Sequence, residues 1–142
     1  MGIKGAIEVE EDIPMNLSEK DAAIAYAKAW NRLDCSQFLE LLDENAHYAS
    51  QWVCDELENK AAISDYLTAK MRTIKVTGSK VFAELGNTRS SFPGRDCVSM
   101  AQGKKEEIKA VVLFEVENNK IKRYDLCIPE LLNVKRNGVY PI

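Results

Sequence analysis

The feature that most restricts the fold of this chain is a change in hydrophobic period after Met71. Upstream, apolar residues recur every three or four positions, which is typical of helices that bury one face. Downstream, apolar and polar residues alternate, which is typical of strands with one buried face. The sequence therefore predicts an α+β domain in which three N-terminal helices lie against one face of a bent antiparallel sheet.

Local signals place the helices and strands around this change. Ser18 and Asp21 form a capping box, in which each side chain satisfies a free amide at the start of a helix. Asn118 and Asn119 separate two alternating runs and predict a tight hairpin. Helices are predicted over 18–33, 34–42 (with Asp34 as N-cap) and 59–71, and strands over 75–85, 96–102, 107–116 and 120–128, with a short candidate at 47–50.

The chain length of 142 residues favours one domain, which we place at 17–130. Acidic residues crowd positions 8–12 and repel one another, so residues 1–16 are expected to form a flexible acidic leader. Residues 131–142 are assigned to a C-terminal tail, for which the pattern predicts no position in the fold.

Charge and cysteine content narrow the function. The formal net charge of −3 argues against a nucleic-acid partner and against attachment to a membrane through basic residues. No apolar run is long enough to cross a bilayer. The four cysteines form no C-x-x-C pair, and there is one histidine. We therefore expect buried free thiols, no metal, no cofactor and a cytoplasmic protein.

Alternation also divides each strand between two faces. In the longest strand, Val112 and Phe114 are expected to face the helices, while Leu113 lies on the outer face. The outer face is mixed rather than polar, and exposed apolar patches mark partner surfaces. We predict a homodimer through this face; the alternative is that the C-terminal tail covers it. The predicted interface residues are Val98, Met100, Val111, Leu113, Arg123, Asp125 and Cys127.

Several short motifs, in order, carry a resemblance to a known superfamily. They are WNRLD at 30–34, LLDENA at 41–46, NKAAI at 59–63 and ENNKI at 117–121. This series resembles the cone-shaped superfamily of nuclear transport factor two, ketosteroid isomerase and the SnoaL-like polyketide cyclases. Residues 48–52 and 125–129 look like an uncharacterised bacterial branch of it. The resemblance implies a cystatin-like α+β cone, usually dimeric, with a pocket at its open end.

If the helix-facing side points into the cone, its residues line that pocket. The lining is mostly apolar with a few hydroxyls, which suits a flat, weakly polar ligand. The alternative is that the rings fill the space. Trp52 and Leu67 are candidates for closing the mouth. The predicted lining is Tyr26, Trp30, Tyr48, Ser50, Trp52, Cys97, Ser99, Val112, Phe114, Tyr124 and Leu126.

The resemblance gives little support to isomerase chemistry. Ketosteroid isomerases use an aspartate base, a tyrosine and a protonated aspartic acid. In this chain the tyrosine position is Tyr26, the base position is Ser50 and the position of the second acid is Val112. Only the tyrosine is kept. The related limonene-epoxide-hydrolase branch needs an Asp-Arg-Asp set in its pocket, whereas Arg123 and Asp125 are expected to face outward.

The remaining candidates for chemistry are few. His47 alternates with Tyr48 and is expected to point away from the pocket, and Cys97 has no predicted activating neighbour. Our main hypothesis is therefore a small-molecule-binding domain without established catalysis. The alternative is an isomerase-, cyclase- or hydrolase-like enzyme with Tyr26 as hydrogen-bond donor and Asp55 or Glu56 as base. A third possibility is a pure interaction protein.

Overall fold

The structure, a computed structural model, describes residues 16–53, 56–89 and 94–142, with the side chain of Leu131 left out. The helices are α1 (Glu19–Arg32), α2 (Ser36–Glu40) and α3 (Lys60–Thr77), and a 3-10 helix covers Pro129–Leu131. The strands are β1 (Leu42–Ser50), β2 (Glu56–Leu57), β3 (Val81–Thr88), β4 (Asp96–Gln102), β5 (Ile108–Glu117), β6 (Lys120–Cys127) and β7 (Val134–Arg136).

The start of α1 has the capping box that the sequence predicts. Ser18 Oγ accepts a hydrogen bond of 3.0 Å from the Asp21 N–H, and Asp21 Oδ2 accepts one of 3.0 Å from the Ser18 N–H. Alanines on the buried face let α1 pack closely on the sheet, and Tyr26 and Trp30 carry large rings on the same face. At the other end Asn31 bonds both backbone groups of Ala83, which ties α1 to β3.

The second helix differs slightly from its prediction. Cys35 occupies the N-cap position instead of Asp34. The Asp34 carboxylate still accepts hydrogen bonds from the Ser36 N–H and hydroxyl, and these bonds lower the pKa of Asp34. The helix ends at Glu40, because the chain enters β1 at Leu42.

The third helix is longer than predicted. The sequence pattern ends it at Met71, but α3 continues to Thr77 and ends at Gly78, whose φ of 73° is left-handed. Ile74 gives the reason, since it is buried on the same face as Met71. This packing outweighs the weak helix preference of the β-branched residues that follow. The strand predicted from residue 75 therefore begins at Val81.

The seven strands form one sheet in the order β2-β1-β6-β5-β4-β3-β7. Within the described residues the ladder between β1 and β6 is parallel and the others are antiparallel, so the sheet is mixed rather than wholly antiparallel. A parallel pair needs a long crossover, and here the chain from β2 to β5 provides it. The predicted hairpin joins β5 to β6, with Asn118 and Asn119 both at positive φ.

The C-terminal segment belongs to the sheet. β7 pairs antiparallel with β3 at the sheet edge. The buried Glu84 carboxylate of β3 accepts hydrogen bonds from Arg136 Nε at 2.7 Å, from the Gly138 N–H at 2.6 Å and from the Tyr140 hydroxyl at 3.0 Å. These bonds hold the chain end against β3.

The orientation of β4 is opposite to the one predicted. Val98 pairs with Val112 and Met100 pairs with Ala110, so Val98 and Met100 share the helix-facing side and Cys97 lies on the outer side. Alternation could not decide this, because apolar residues occur on both faces of β4. The ladder with β5 decides it, since a shift of one residue moves every side chain to the other face.

Much of the outer face is covered by the chain itself. Val111 is fully buried there and Cys127 is 8% exposed, and the 3-10 helix that follows β6 contacts β5. The predicted interface is wrong for Val98 and Met100, because both lie on the helix-facing side of β4. Leu113, Arg123 and Asp125 remain half-buried on the outer side. The chain thus covers the middle of this face and leaves its β6 flank open.

No helix in residues 16–53, 56–89 or 94–142 is long and apolar enough to cross a membrane.

Candidate ligand cavity

A cavity of about 260 Å³ lies between the helices and the sheet. α1 and α3 form one side of it, and residues of β1, β3, β4, β5 and β6 form the other. Six residues predicted to line the pocket do so: Tyr26, Trp30, Tyr48, Ser50, Trp52 and Leu126. The full described lining is Tyr26, Trp30, Tyr48, Ser50, Trp52, Val53, Tyr66, Lys70, Ile74, Val81, Met100, Ala101, Gln102, Lys109, Ala110 and Leu126.

Tilted and edge-to-face aromatic rings build the wall of the cavity and the layer of rings behind it. The Tyr48 ring lies 4.6 Å from Tyr124 and 5.7 Å from Tyr66, measured between centroids. Tyr26 lies 5.4 Å from Tyr124 and 5.4 Å from Phe114. Such pairs add about 0.5–1.5 kcal/mol each beyond the burial of their area. These contacts therefore stabilise the wall.

Three predicted lining residues lie behind this wall. Val112, Phe114 and Tyr124 are fully buried in the core and do not reach the cavity. Phe38 of α2 explains this, since its ring packs 5.3 Å from Tyr124 and fills the closed end. The two alternatives, that the rings line a pocket or that they fill the space, each describe one end. The rings fill the closed end and line the open end.

Cys97 and Ser99 do not line the cavity. Both belong to the outer side of β4, for the register reason given above. Burial raises the pKa of the Cys97 thiol to about 12, so this thiol stays protonated and is a poor nucleophile. The Ser99 hydroxyl is buried and has no hydrogen-bond partner among the described residues.

Trp52 spans the mouth. Its indole Nε1–H donates a hydrogen bond of 3.1 Å to the Lys109 carbonyl, and Ser50 Oγ accepts one of 3.2 Å from the Trp52 N–H. The side chain is 59% exposed, so it covers the entrance from the solvent side. Leu67, the other predicted closing residue, is buried in the core instead.

Sequence reasoning missed the contribution of α3 to the lining. Tyr66, Lys70 and Ile74 follow one another at intervals of four and present one face of the helix to the cavity. The spacing was visible in the sequence, but it predicts a packing face equally well. Met100 was missed because β4 was assigned the opposite orientation.

The phenols of the wall are held in their protonated form. Burial raises the pKa of Tyr26 and of Tyr48 well above the usual value for a phenol, and the same holds for Tyr124. They can therefore donate hydrogen bonds but cannot act as bases near neutral pH. The Trp30 Nε1–H and the Tyr124 hydroxyl are buried and lack a hydrogen-bond partner in the described part of the chain.

The predicted carboxylate base is not in the cavity. Glu56 lies on the outer side, where its Oε2 is 2.7 Å from His47 Nδ1 and 3.2 Å from Arg123 Nη1. The hydrogen bond with His47, followed by the Arg123 charge, lowers the pKa of Glu56. The other candidate, Asp55, lies outside the described residues. No described lining residue is acidic.

Arg123 and Asp125 face outward, as expected. The Arg123 Nε and Nη2 groups donate to the Asp125 carboxylate at 2.9–3.1 Å. With His47 and Glu56 they form a mixed-charge cluster on the outer face, away from the cavity. In residues 16–53, 56–89 and 94–142, no three His, Cys, Asp or Glu side chains are grouped to hold a metal ion.

The fold and cavity can be compared with known proteins. The sequence matches no protein-family model and no curated protein. Among solved structures, a SnoaL-like protein of unknown function from Burkholderia thailandensis matches with a TM-score of 0.55 and 14% identity, over 82% of this chain and 91% of that one. An NTF2-like protein of unknown function from Cytophaga hutchinsonii matches with a TM-score of 0.52 and 11% identity, over 88% and 95%.

Proteins described as enzymes share the same architecture. An LEH-like epoxide hydrolase of M. tuberculosis matches with a TM-score of 0.53 and 12% identity, over 80% of this chain and 87% of that one. Other matches are described as polyketide-cyclase-like and ketosteroid-isomerase-like, and several as cystatin-like folds. At these identities the likeness concerns the fold alone. The chain therefore has the cystatin-like α+β cone fold of the NTF2-like and SnoaL-like proteins, as its sequence motifs predict.

Proposed function

We propose that this chain is a small-molecule-binding domain that takes a compact, largely apolar ligand into the aromatic cavity. The observation that carries the proposal is the cavity itself, about 260 Å³ in volume and walled by Tyr48, Tyr66 and Tyr26. Sites for drug-sized ligands measure roughly 300–1,000 Å³. A ligand of one or two rings therefore suits this one.

Polar groups at the wall give such a ligand an orientation. The phenols of Tyr26 and Tyr48 remain donors because burial raises their pKa. Ser50 contributes a hydroxyl at the mouth. A few placed polar groups in an apolar cavity fix orientation, while the apolar contact supplies most of the affinity.

The test is calorimetric titration with a panel of neutral one- and two-ring compounds, including 2-naphthamide. Ser50→Phe places a ring inside the mouth, and we expect it to weaken binding by about tenfold or more, since overpacking costs about 1–3 kcal/mol. The matched control is Val76→Phe on α3, because Val76 is 81% exposed and lies away from the cavity. Absence of binding across the panel, or equal loss in both variants, would contradict the proposal.

The enzyme alternative keeps part of its support. Tyr26 lines the cavity as a protonated donor, and one structural neighbour is an epoxide hydrolase. Acid–base chemistry also needs a base within hydrogen-bond reach of the substrate. Glu56 is engaged by His47 and Arg123 on the opposite side of the sheet. We therefore rank binding ahead of isomerase-, cyclase- or hydrolase-like catalysis.

We also propose that the open flank of the outer face pairs two copies of the chain. Leu113 is half-buried there beside Arg123, Asp125 and the exposed Glu56. A patch with both charge signs can complement its own copy across a twofold axis. Light scattering at micromolar concentration should give twice the chain mass, and Leu113→Asp should give the monomer. A monomeric wild-type protein would contradict this, and a stoichiometric foreign partner would favour an interaction protein.

The thiols bear on the compartment. Cys35, Cys97 and Cys127 are free and buried, which suits a reducing cytoplasm, where disulfides rarely persist.

A further inference from the structure

We propose that the cavity selects an anionic ligand, with an apolar body and a terminal carboxylate, and that Lys70 is the residue that pairs with the carboxylate. This inference rests on the proposed function, since it names the class of ligand that the cavity takes. It starts from the charges of the lining. Two described lining residues are charged, Lys70 and Lys109, and both are basic.

Of these two lysines, Lys70 is the one whose charged group belongs to the cavity. Lys109 presents its backbone there, because its carbonyl accepts the Trp52 indole hydrogen bond. Lys109 is an exposed extra residue of β5 at this point, because Met100 pairs with Ala110 and Ala101 pairs with Ile108. The Lys70 ammonium, in contrast, lies 5.6 Å from the centroid of the Tyr66 ring, which is part of the cavity wall.

Lys70 also lacks an acidic partner of the kind that Lys60 and Lys122 have. Lys60 pairs with Glu44 at 3.9 Å and Lys122 with Glu117 at 3.7 Å. Lys70 makes no ion pair with any described residue. Its helix neighbours at three and four positions are Tyr66, Leu67, Thr73 and Ile74, so α3 provides no carboxylate either. The contact that the Lys70 ammonium makes is with the ring of Tyr66, in the wall of the cavity.

The position of Lys70 fits an amphipathic anion. Met100, Ala110 and Leu126 line the apolar part of the cavity, where a ring or short chain can be buried. A carboxylate at the rim then meets Lys70 while it keeps contact with water, so its desolvation stays small. The same geometry disfavours a cationic ligand, because Lys70 already covers the face of Tyr66 that would attract it.

The experiment compares 2-naphthoate with 2-naphthamide, which differ in charge and hardly in shape, by calorimetric titration of the full chain. We expect wild type to bind the anion about 2- to 5-fold more tightly than the amide, the range for a partly exposed ion pair. This preference should shrink as salt increases. Lys70→Met should remove the preference, so that the ratio of the two affinities falls to about one. Lys70→Glu should make the anion bind more weakly than the amide, and the cation 2-naphthylmethylammonium should then bind more tightly than the anion.

The matched control is Lys75→Met, which removes the same charge from α3 at an exposed position outside the cavity lining. It should keep the anion preference. Equal affinity of the two probes for wild type, or an equal effect of Lys70→Met and Lys75→Met, would overturn the role of Lys70 while leaving the binding function intact. Binding of neither probe would overturn the role of Lys70, and absence of binding across the whole panel would overturn the binding function as well. Circular dichroism of each variant confirms that it is folded.

Discussion

The helix-facing and outer sides of the sheet are made by the same strands but differ in what stabilises them. On the helix side, the rings of Tyr48 and Tyr124 pack together within a neutral aromatic cluster. One residue away, His47 and Asp125 belong to the charged cluster of the outer face. Aromatic packing stabilises the inner side, whereas paired charges occupy the open flank of the outer side. Charged groups stay hydrated or paired, while packed rings exclude water.

This difference places the two kinds of group that acid–base catalysis needs, a carboxylate base and a hydrogen-bond donor, on opposite sides of the sheet. Glu56, the one predicted base within the described residues, lies on the side without the cavity, and the protonated phenols lie on the side with it. This difference supports the proposed binding function, and variants on each side of the sheet can test it.

The largest effect is expected on the inner side. Phe114→Ala should lower the free energy of unfolding by about 3–5 kcal/mol, because Phe114 is fully buried and the closed end cannot collapse around the space. Met100→Ala, at the half-open cavity, should cost less than about 2 kcal/mol. Urea denaturation measures both. Similar costs would mean that the two ends of the inner side are packed alike.

The next effect concerns charge at the sheet edge. Glu84→Gln should cost about 1–3 kcal/mol, because it weakens three hydrogen bonds to a buried carboxylate and leaves Arg136 without its charge partner. The control Glu117→Gln removes an exposed partner of Lys122 and should cost about 0–1 kcal/mol. Thermal unfolding measures both variants. An equal loss in the two would mean that the buried pair of Glu84 and Arg136 contributes no more stability than the exposed pair.

Trp52→Ala sharpens the comparison at the mouth. Trp52 is mostly exposed, so its loss should change the free energy of unfolding by no more than about 0.5 kcal/mol. It should nevertheless weaken 2-naphthamide binding, because the bridge to the Lys109 carbonyl covers the entrance. An unchanged affinity for 2-naphthamide would show that Trp52 does not help to cover the entrance.

The smallest effect is a pH dependence on the outer side. The pKa of Glu56 is lowered in the folded protein, so its contribution is present above its unfolded pKa and is lost as the pH falls through the folded value. The stability difference between wild type and Glu56→Gln should therefore shrink below about pH 4.5. Denaturation between pH 3 and 7 tests this, and a constant difference would contradict it.

The local parts of the fold were predictable because their causes are local. The Ser18–Asp21 capping box and the Asn118-Asn119 hairpin each depend on a few neighbouring residues. The motif series gave the cone fold, and with it six of the residues that line the cavity. Tyr26 is an example, since its helix and its face could both be assigned from spacing alone.

The remaining features depend on contacts between distant segments. The orientation of β4 follows from its register with β5. The place of β7 follows from the hydrogen bond between Arg136 and the buried carboxylate of Glu84. The division of the rings into a filled end and an open end follows from Phe38, which α2 brings against Tyr124.

The sequence by itself determined the change from helices to strands, the caps and turns, and the stock of aromatic rings, because period and local hydrogen bonding are properties of neighbouring residues. The tertiary structure alone decided which face of each strand lies inward and that Lys70 stands at the rim of the cavity. Side chains that alternate are equivalent until a ladder fixes their register, and a cavity exists only where distant elements fail to fill the space between them.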